Sequence, residues 1–249
     1  MSFPHFRANL HRNGLVDEVL APPLALAWDY MIDGEVRSPT IANGRIYFTS
    51  LNTKCYCLDL EGRLVWSFTA GSRNNASLMV HEGLAYFGSN DACFYCLNAG
   101  TGELVWRQKA KAAIQGNFAA FEDLVLCGAY DNGVYAFDAK TGQPRWKADV
   151  GSGVNCSLAV MGDVVYLGTN GVTVHALDAR TGTTIWQSSA PGGINATCAV
   201  SPHGLFVGTR SGQFCKFNIG TGQLDWALEF GAHIFASPAL DDDFRLHRL

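Results

Sequence analysis

Short hydrophobic or alternating runs, separated by turn residues, cover most of the chain. One representative unit contains the runs 115–120, 124–129, 134–138 and 143–148. The breaks between them carry Asp-Asn-Gly at 131–133 and Lys-Thr-Gly at 140–142, and such sequences supply the positive-φ positions that hairpins require. β-Branched and aromatic residues dominate the runs, and no segment of ten or more residues has helical periodicity. The pattern predicts four short antiparallel strands per unit.

The units repeat along the chain with a nearly constant period. The six tryptophans are Trp28, Trp66, Trp106, Trp146, Trp186 and Trp226, separated once by 38 residues and then four times by 40. Four strands per repeat of this length are typical of a β-propeller blade. The predicted fold is therefore an all-β propeller of four-stranded antiparallel blades, with five complete repeats and a partial sixth. Each tryptophan is expected to dock one blade on the next, because a single sheet cannot bury both of its faces.

The predicted domain organisation is a single propeller domain over residues 1–249. It comprises a lead-in at 1–27, repeats at 28–232 and an incomplete blade at 233–249. The segment around Trp28 is predicted to be an outer strand, and the tail 244–249 is a candidate second strand of the last blade. Two arrangements fit this count: an open arc, or a ring that closes early with a defective sixth blade. An open arc would expose strand edges that invite edge-to-edge self-association.

The repeat resembles a known family. The sequences LNAGTGELVW, FDAKTGQPRW, LDARTGTTIW and FNIGTGQLDW end at successive tryptophans. They are similar to the PQQ-like repeat, with its tryptophan-docking motif, of quinoprotein-alcohol-dehydrogenase-like propellers. The resemblance implies membership of a group that includes quinone-dependent dehydrogenases, outer-membrane assembly lipoproteins and sensor domains of kinases. It also implies that relatives close with seven or eight blades.

Composition narrows the classes of partner. The chain is 48% hydrophobic and 16% charged, which excludes intrinsic disorder, and its formal net charge is −4. No basic run is available to track phosphates, so nucleic acid is not an expected partner. The apolar patch 24–28 is too short for a membrane span, and charged residues interrupt any secretory leader. A cytoplasmic location is expected for the chain as given, or a periplasmic one if a leader is missing.

A polar column is the main candidate site. The innermost strand of four repeats is expected to begin with an amide, at Asn75, Gln115, Asn155 and Asn195, with Val36 and Phe235 at the equivalent end positions. Two residues further on stand Ser38, Ser77, Asn117, Ser157, Thr197 and Ser237. The amides are candidates for a ligand site at the channel mouth. The alternative is that both sets satisfy backbone groups and water.

The reactive side chains predict no catalytic or metal site. Cys55-x-Cys57 and Cys93-x-x-Cys96 could suggest zinc, but Cys57 and Cys96 fill a slot that is alanine in later repeats. The eight cysteines are therefore expected to be buried free thiols. His175 replaces a tyrosine of other repeats and is predicted to be a half-exposed strand residue.

The sequence therefore favours a non-catalytic binding or scaffold propeller without a cofactor, whose partner is a protein or a small polar ligand. One alternative is a fragment of a quinone-dependent dehydrogenase, which the resemblance associates with pyrroloquinoline quinone (PQQ) and calcium. This chain has no Cys-Cys pair of the kind found in such enzymes. Another alternative is the ligand-sensing domain of a larger receptor or kinase.

Overall fold

The computed structural model describes residues 25–240 and 246–247. They form five four-stranded antiparallel sheets and one two-stranded sheet, and the described residues contain no helix. We number the four-stranded sheets blades 1 to 5. In each blade the strand order follows the chain from the innermost to the outermost strand. The predicted all-β propeller of four-stranded blades is confirmed.

Blade 1 consists of β1 (Thr40–Ala42), β2 (Arg45–Thr49), β3 (Lys54–Asp59) and β4 (Leu64–Thr69). Blade 2 consists of β5 (Met79–His81), β6 (Leu84–Gly88), β7 (Cys93–Asn98) and β8 (Leu104–Lys109). Blade 3 consists of β9 (Ala119–Phe121), β10 (Leu124–Gly128), β11 (Gly133–Asp138) and β12 (Pro144–Asp149). Blade 4 consists of β13 (Ala159–Met161), β14 (Val164–Gly168), β15 (Thr173–Asp178) and β16 (Thr184–Ser189). Blade 5 consists of β17 (Ala199–Ser201), β18 (Gly204–Gly208), β19 (Gln213–Phe217) and β20 (Leu224–Glu229), and β21 (Ala239–Leu240) pairs with β22 (Leu246–His247).

The innermost strands are shorter than the sequence predicts. The run 115–120 yields only β9, and residues 115–118 precede the strand. The reason is that the segment just before this connector is held between blades 2 and 3 by single bonds, so the ladder of blade 3 does not extend into the connector. The Ile114 N–H donates to the Ser89 carbonyl of blade 2 (3.1 Å), and the Tyr130 N–H of blade 3 donates back to the Ala113 carbonyl (3.0 Å).

The tryptophans dock neighbouring blades as predicted. Every described tryptophan ring except that of Trp226 lies against the glycine of the next blade's last turn, which has a φ near +75° and holds the chain close to the indole. The indole N–H of each of these five tryptophans also donates to a carbonyl of that blade. The distances are 2.7 Å for Trp28–Leu60, 3.0 Å for Trp66–Ala99, 2.9 Å for Trp106–Ala139, 3.1 Å for Trp146–Ala179 and 3.0 Å for Trp186–Ile219.

The two ends of the repeat array differ. The predicted outer strand around Trp28 is wrong, because residues 25–32 belong to no strand even though the Trp28 ring occupies the docking position against Gly62. No inner strands lie beside this segment among the described residues, so it lacks a ladder to join. At the other end, β22 confirms that the tail supplies a second strand. Within residues 25–240 and 246–247, no strand of blade 1 pairs with blade 5, as in an open arc. Most of the lead-in 1–27 lies outside the described residues.

A glycine and a branched residue meet at four of the blade junctions. Gly88, for example, lies against Ile114, so that a Cβ on the glycine would sit 2.2 Å from Ile114 Cγ2. The equivalent pairs are Gly128–Val154, Gly168–Ile194 and Gly208–Ile234. At the junction of blades 1 and 2, Thr49 and Asn74 replace the glycine and the branched residue. Asn74 is fully buried, and its side-chain oxygen and nitrogen have no hydrogen-bond partner among the described residues.

Hydrophobic clusters fill the spaces between adjacent blades. All eight cysteines are buried and free, as the repeat comparison predicts. The prediction for His175 is wrong: its side chain is only 2% exposed. The slot lies between blades, where the tyrosines that His175 replaces are themselves largely covered.

Candidate functional site: the channel-side amides

The four predicted amides lie in the connectors that precede the innermost strands. Asn75, Gln115, Asn155 and Asn195 are all half-buried. They occupy equivalent places because each stands four residues before β5, β9, β13 or β17. The innermost strands of neighbouring blades lie beside one another, which places the connectors around the axis of the arc. The end positions, Val36 and Phe235, are instead exposed and apolar.

The amides of blades 2 and 3 belong to a hydrogen-bonded chain. Arg37 Nη2 donates to Asn75 Oδ1 (2.9 Å), and Asn75 Nδ2 donates to Asn90 Oδ1 (3.2 Å). Gln115 Nε2 donates to the same Asn90 oxygen at 3.1 Å, and the Tyr130 hydroxyl donates to Gln115 Oε1 at 3.3 Å. This chain connects blades 1 to 3 and uses the polar atoms of Asn75 and Gln115.

The amides of blades 4 and 5 do not belong to such a hydrogen-bonded chain. Asn155 makes no side-chain hydrogen bond with another described residue. Asn195 Oδ1 is buried without a partner in this part of the chain, as is the side-chain oxygen of Asn170, the blade 4 equivalent of Asn90. Buried polar atoms normally have a partner, supplied by protein or by water. This half of the row therefore offers acceptors that the protein itself does not satisfy.

The second predicted column holds the blades together. The Ser77 N–H donates to Asn117 Oδ1 (2.5 Å), and Asn117 Nδ2 donates to Ser157 Oγ (2.7 Å). The Ser157 N–H donates to Thr197 Oγ1 (3.2 Å), and the Thr197 N–H donates to Ser237 Oγ (3.0 Å). Every step joins residues 40 positions apart, so the column from Ser77 to Ser237 forms a belt of inter-blade hydrogen bonds. These residues satisfy each other and the backbone.

Another concave surface, between the outer parts of blades 1 and 2, has no counterpart in the sequence prediction. We call it the outer groove; its volume is about 550 Å³. Phe68, Asp91, Tyr95, Arg107 and Lys109 line it. The Tyr95 hydroxyl donates to Asp91 Oδ2 (2.6 Å), and burial, followed by this bond, raises the pKa of Tyr95 to about 12. The sequence does contain a signal for this groove, because Arg107 and Lys109 lie two residues apart and therefore on the same face of β8.

The polar side chains of the channel row are uncharged, and beside them Arg37 pairs with Glu35 at 3.9 Å. Among the described residues, no group of three or more histidine, cysteine or acidic side chains could hold a metal ion. No helix in the described part of the chain is long and apolar enough to cross a membrane. The four amides can exchange hydrogen bonds with a polar ligand or a polypeptide backbone, since each carries both donors and an acceptor.

A comparison with protein families gives a match that covers most of the chain. The family model for the outer membrane protein assembly factor BamB matches residues 56–188 and 170–246. A comparison with curated proteins gives no match.

Similar solved structures include BamB, an alcohol dehydrogenase and a designed protein. BamB from Moraxella catarrhalis has a TM-score of 0.72 at 18% identity, over 84% of this chain and 64% of that one. Quinohemoprotein alcohol dehydrogenase from Comamonas testosteroni has a TM-score of 0.83 at 17% identity, over 98% of this chain and 51% of that one. The computationally designed protein Ika8 has a TM-score of 0.75 at 22% identity, over 83% and 65%. This chain thus spans less than two thirds of each of them, and identities this low establish the fold alone.

Proposed function

Because the chain belongs to the family of the outer membrane protein assembly factor BamB, we propose that it is a non-catalytic binding module that holds a protein partner at its channel-side amides. The alternative occupant is a small polar ligand that exchanges hydrogen bonds with the same amides. The proposal needs no cofactor. Proteins that share one fold can have different activities, so the function depends on the residues of the site.

The observation that carries the proposal is the difference between the two halves of the amide row. Asn75 and Gln115 use their polar atoms within the protein, whereas Asn155 and Asn195 make no side-chain hydrogen bond with described residues. An unsatisfied buried polar group costs about 1–3 kcal/mol, which a ligand or partner would recover on binding. The free half of the row is therefore the place where a partner's backbone or amide groups gain most.

The competing candidate is a portion of a quinone-dependent dehydrogenase, favoured by the TM-score of 0.83 over 98% of this chain. Calcium prefers oxygen ligands that include carboxylates. The channel row presents amides, and the described residues around it supply Asn90, Asn170 and Arg37, with the Glu35 carboxylate 3.9 Å from Arg37. Because Glu35 is paired with a cation, this donor set favours a neutral polar partner over calcium-bound PQQ. A thermal shift and a retained quinone chromophore after incubation with PQQ and calcium would support the enzyme instead.

The test replaces Asn155 and Asn195, whose side chains make no hydrogen bond with described residues, and leaves Asn75 and Gln115 unchanged. The double variant Asn155→Leu/Asn195→Leu is expected to lose the proteins that the tagged wild type captures from its own cell extract. Gln187→Leu, which makes the same chemical change on an exposed outer strand, is the matched control and should capture them as wild type does. Unfolding midpoints of all three proteins show whether the loss reflects binding or folding. Capture that survives in the double variant contradicts a partner site at the amides.

A further inference from the structure

The outer strands of the blades are sheet edges, and they differ in how well they are protected. Among residues 25–240 and 246–247, each outer strand is hydrogen-bonded on one side only, to the third strand of its blade. Natural proteins protect such edges with proline and charged residues, because a free edge pairs readily with another strand. β12 follows this rule: it begins at Pro144, and Arg145 and Lys147 on it form ion pairs.

β8 also carries charged residues, but it differs from β12 in two ways. It contains no proline, and Leu104 and Val105 at its start are 48% and 44% exposed. Its second half carries Arg107 and Lys109, whose side chains are exposed and make no hydrogen bond or ion pair with another described residue. The edge of β8 is therefore apolar in its first half and positively charged in its second.

The two cations border the outer groove because of the strand register. Arg107 lies opposite Tyr95, and Lys109 lies opposite Cys93, on the face of blade 2 that meets blade 1. In blade 3 the residue equivalent to Arg107 is Lys147. Its ammonium group lies 4.5 Å from the centre of the Tyr135 ring and bonds to Asp131. In blade 2, Asp91 accepts the equivalent bonds from the Gly71 N–H and the Tyr95 hydroxyl, but Arg107 makes no bond to it. The positive charges of Arg107 and Lys109 therefore stay available beside an open cavity.

From these features we propose that β8 accepts an extended acidic segment of a partner protein as an added fifth strand of blade 2. The inference rests on the proposed binding function and names a second contact surface for the partner. The partner strand bonds to the free β8 edge, and an apolar residue covers Leu104 and Val105. Acidic residues pair with Arg107 and Lys109 at the groove. Main-chain bonds give such additions their affinity, and side chains give the specificity.

The test uses a fluorescent decapeptide in which glutamate alternates with valine and threonine, titrated with the full chain. Fluorescence anisotropy is expected to rise with protein concentration, and to rise less at high salt, because exposed charges are screened. The variant Arg107→Glu/Lys109→Glu should weaken binding at least about tenfold, since it turns attraction into repulsion. The control Gln187→Glu/Ser189→Glu adds the same charges at the equivalent positions of β16 and should bind as wild type does.

A second peptide, N-methylated at every residue, separates strand addition from simple charge attraction. It keeps every charge but cannot donate to a ladder on either edge, so its binding should be lost. Binding that persists with this peptide, or in the Arg107→Glu/Lys109→Glu variant, overturns the inference. The variant Asn155→Leu/Asn195→Leu should still bind the glutamate peptide. If that peptide fails to bind wild type while capture at the amides is intact, this inference alone falls.

Discussion

The Trp66 ring lies directly against Gly102, so that a Cβ added to the glycine would stand 2.7 Å from Cδ2 of the indole. The same contact joins each later pair of complete blades. One tryptophan and one glycine, contributed by adjacent repeats, thus set how closely two sheets approach.

Replacing Gly102 by alanine should destabilise the protein for two reasons. Its φ of +76° disfavours a side chain by about 1–2 kcal/mol, and the contact with Trp66 adds roughly 1–3 kcal/mol of overpacking. Gly83 has the same φ of +76° and no atom within 4 Å of an added Cβ, so Gly83→Ala isolates the backbone cost. Denaturant unfolding should show the larger loss for Gly102→Ala. Equal losses would mean that the indole contact is not tight.

The junction of blades 1 and 2 should be convertible to the type found elsewhere. Asn74→Ile alone is expected to destabilise, because the new side chain would meet Thr49 where the other junctions have glycine. The double variant Thr49→Gly/Asn74→Ile removes that conflict and two unsatisfied polar atoms. A double-mutant cycle in urea should show a favourable coupling of about 1–3 kcal/mol. Additive effects would contradict a direct contact between the two side chains.

The cysteines should react slowly in the folded protein. Burial raises the pKa of Cys96 to about 12, and it raises the pKa of Cys156 to about 11. Because the thiolate is the reactive form, a disulfide reagent at pH 8 should label few of the eight thiols in the native state and all of them in guanidinium. Rapid native labelling would indicate that the blade junctions open often.

His175 should make the protein less stable in mild acid. Burial lowers its pKa to about 4 from an ordinary value near 6.5, so the folded state prefers the neutral ring. Its contribution to stability is complete above pH 6.5 and is lost as the pH falls toward 4. His175→Tyr, the residue that blades 2 and 3 carry in this slot, should lose less stability over that interval. Unfolding free energies at pH 7 and pH 5 give the comparison, and identical pH dependence would be inconsistent with a buried neutral ring.

The period of the sequence was sufficient to predict the blades, because docking requires a tryptophan and a turn glycine at fixed positions in every repeat. It was not sufficient to predict which amides are free. Asn75 and Gln115 are tied by Asn90, Arg37 and Tyr130, which occupy slots that vary from blade to blade. The repeat pattern does not predict which hydrogen bonds form at such variable positions.

The outer groove escaped prediction for a similar reason. Asp91 and Asp131 accept equivalent tyrosine bonds, yet Lys147 reaches Asp131 and Arg107 does not reach Asp91, so the conformation of the cationic side chain decides whether the groove is covered. The innermost strands were predicted too long because their connectors alternate like strands but are held between two blades without a ladder. In this second case, contacts between repeats override the pattern within one repeat.

The Trp28 contact makes the two ends of the arc different from each other. Gly62 of blade 1 already has an indole against it, while Trp226 is the one tryptophan in the described part of the chain with no glycine turn over its ring. A second copy could not stack its Trp226 onto blade 1 without first displacing Trp28. Growth of copies into a continuous fibre through this contact is thereby obstructed at blade 1, although the half-buried Trp226 of blade 5 has no described glycine turn against its ring.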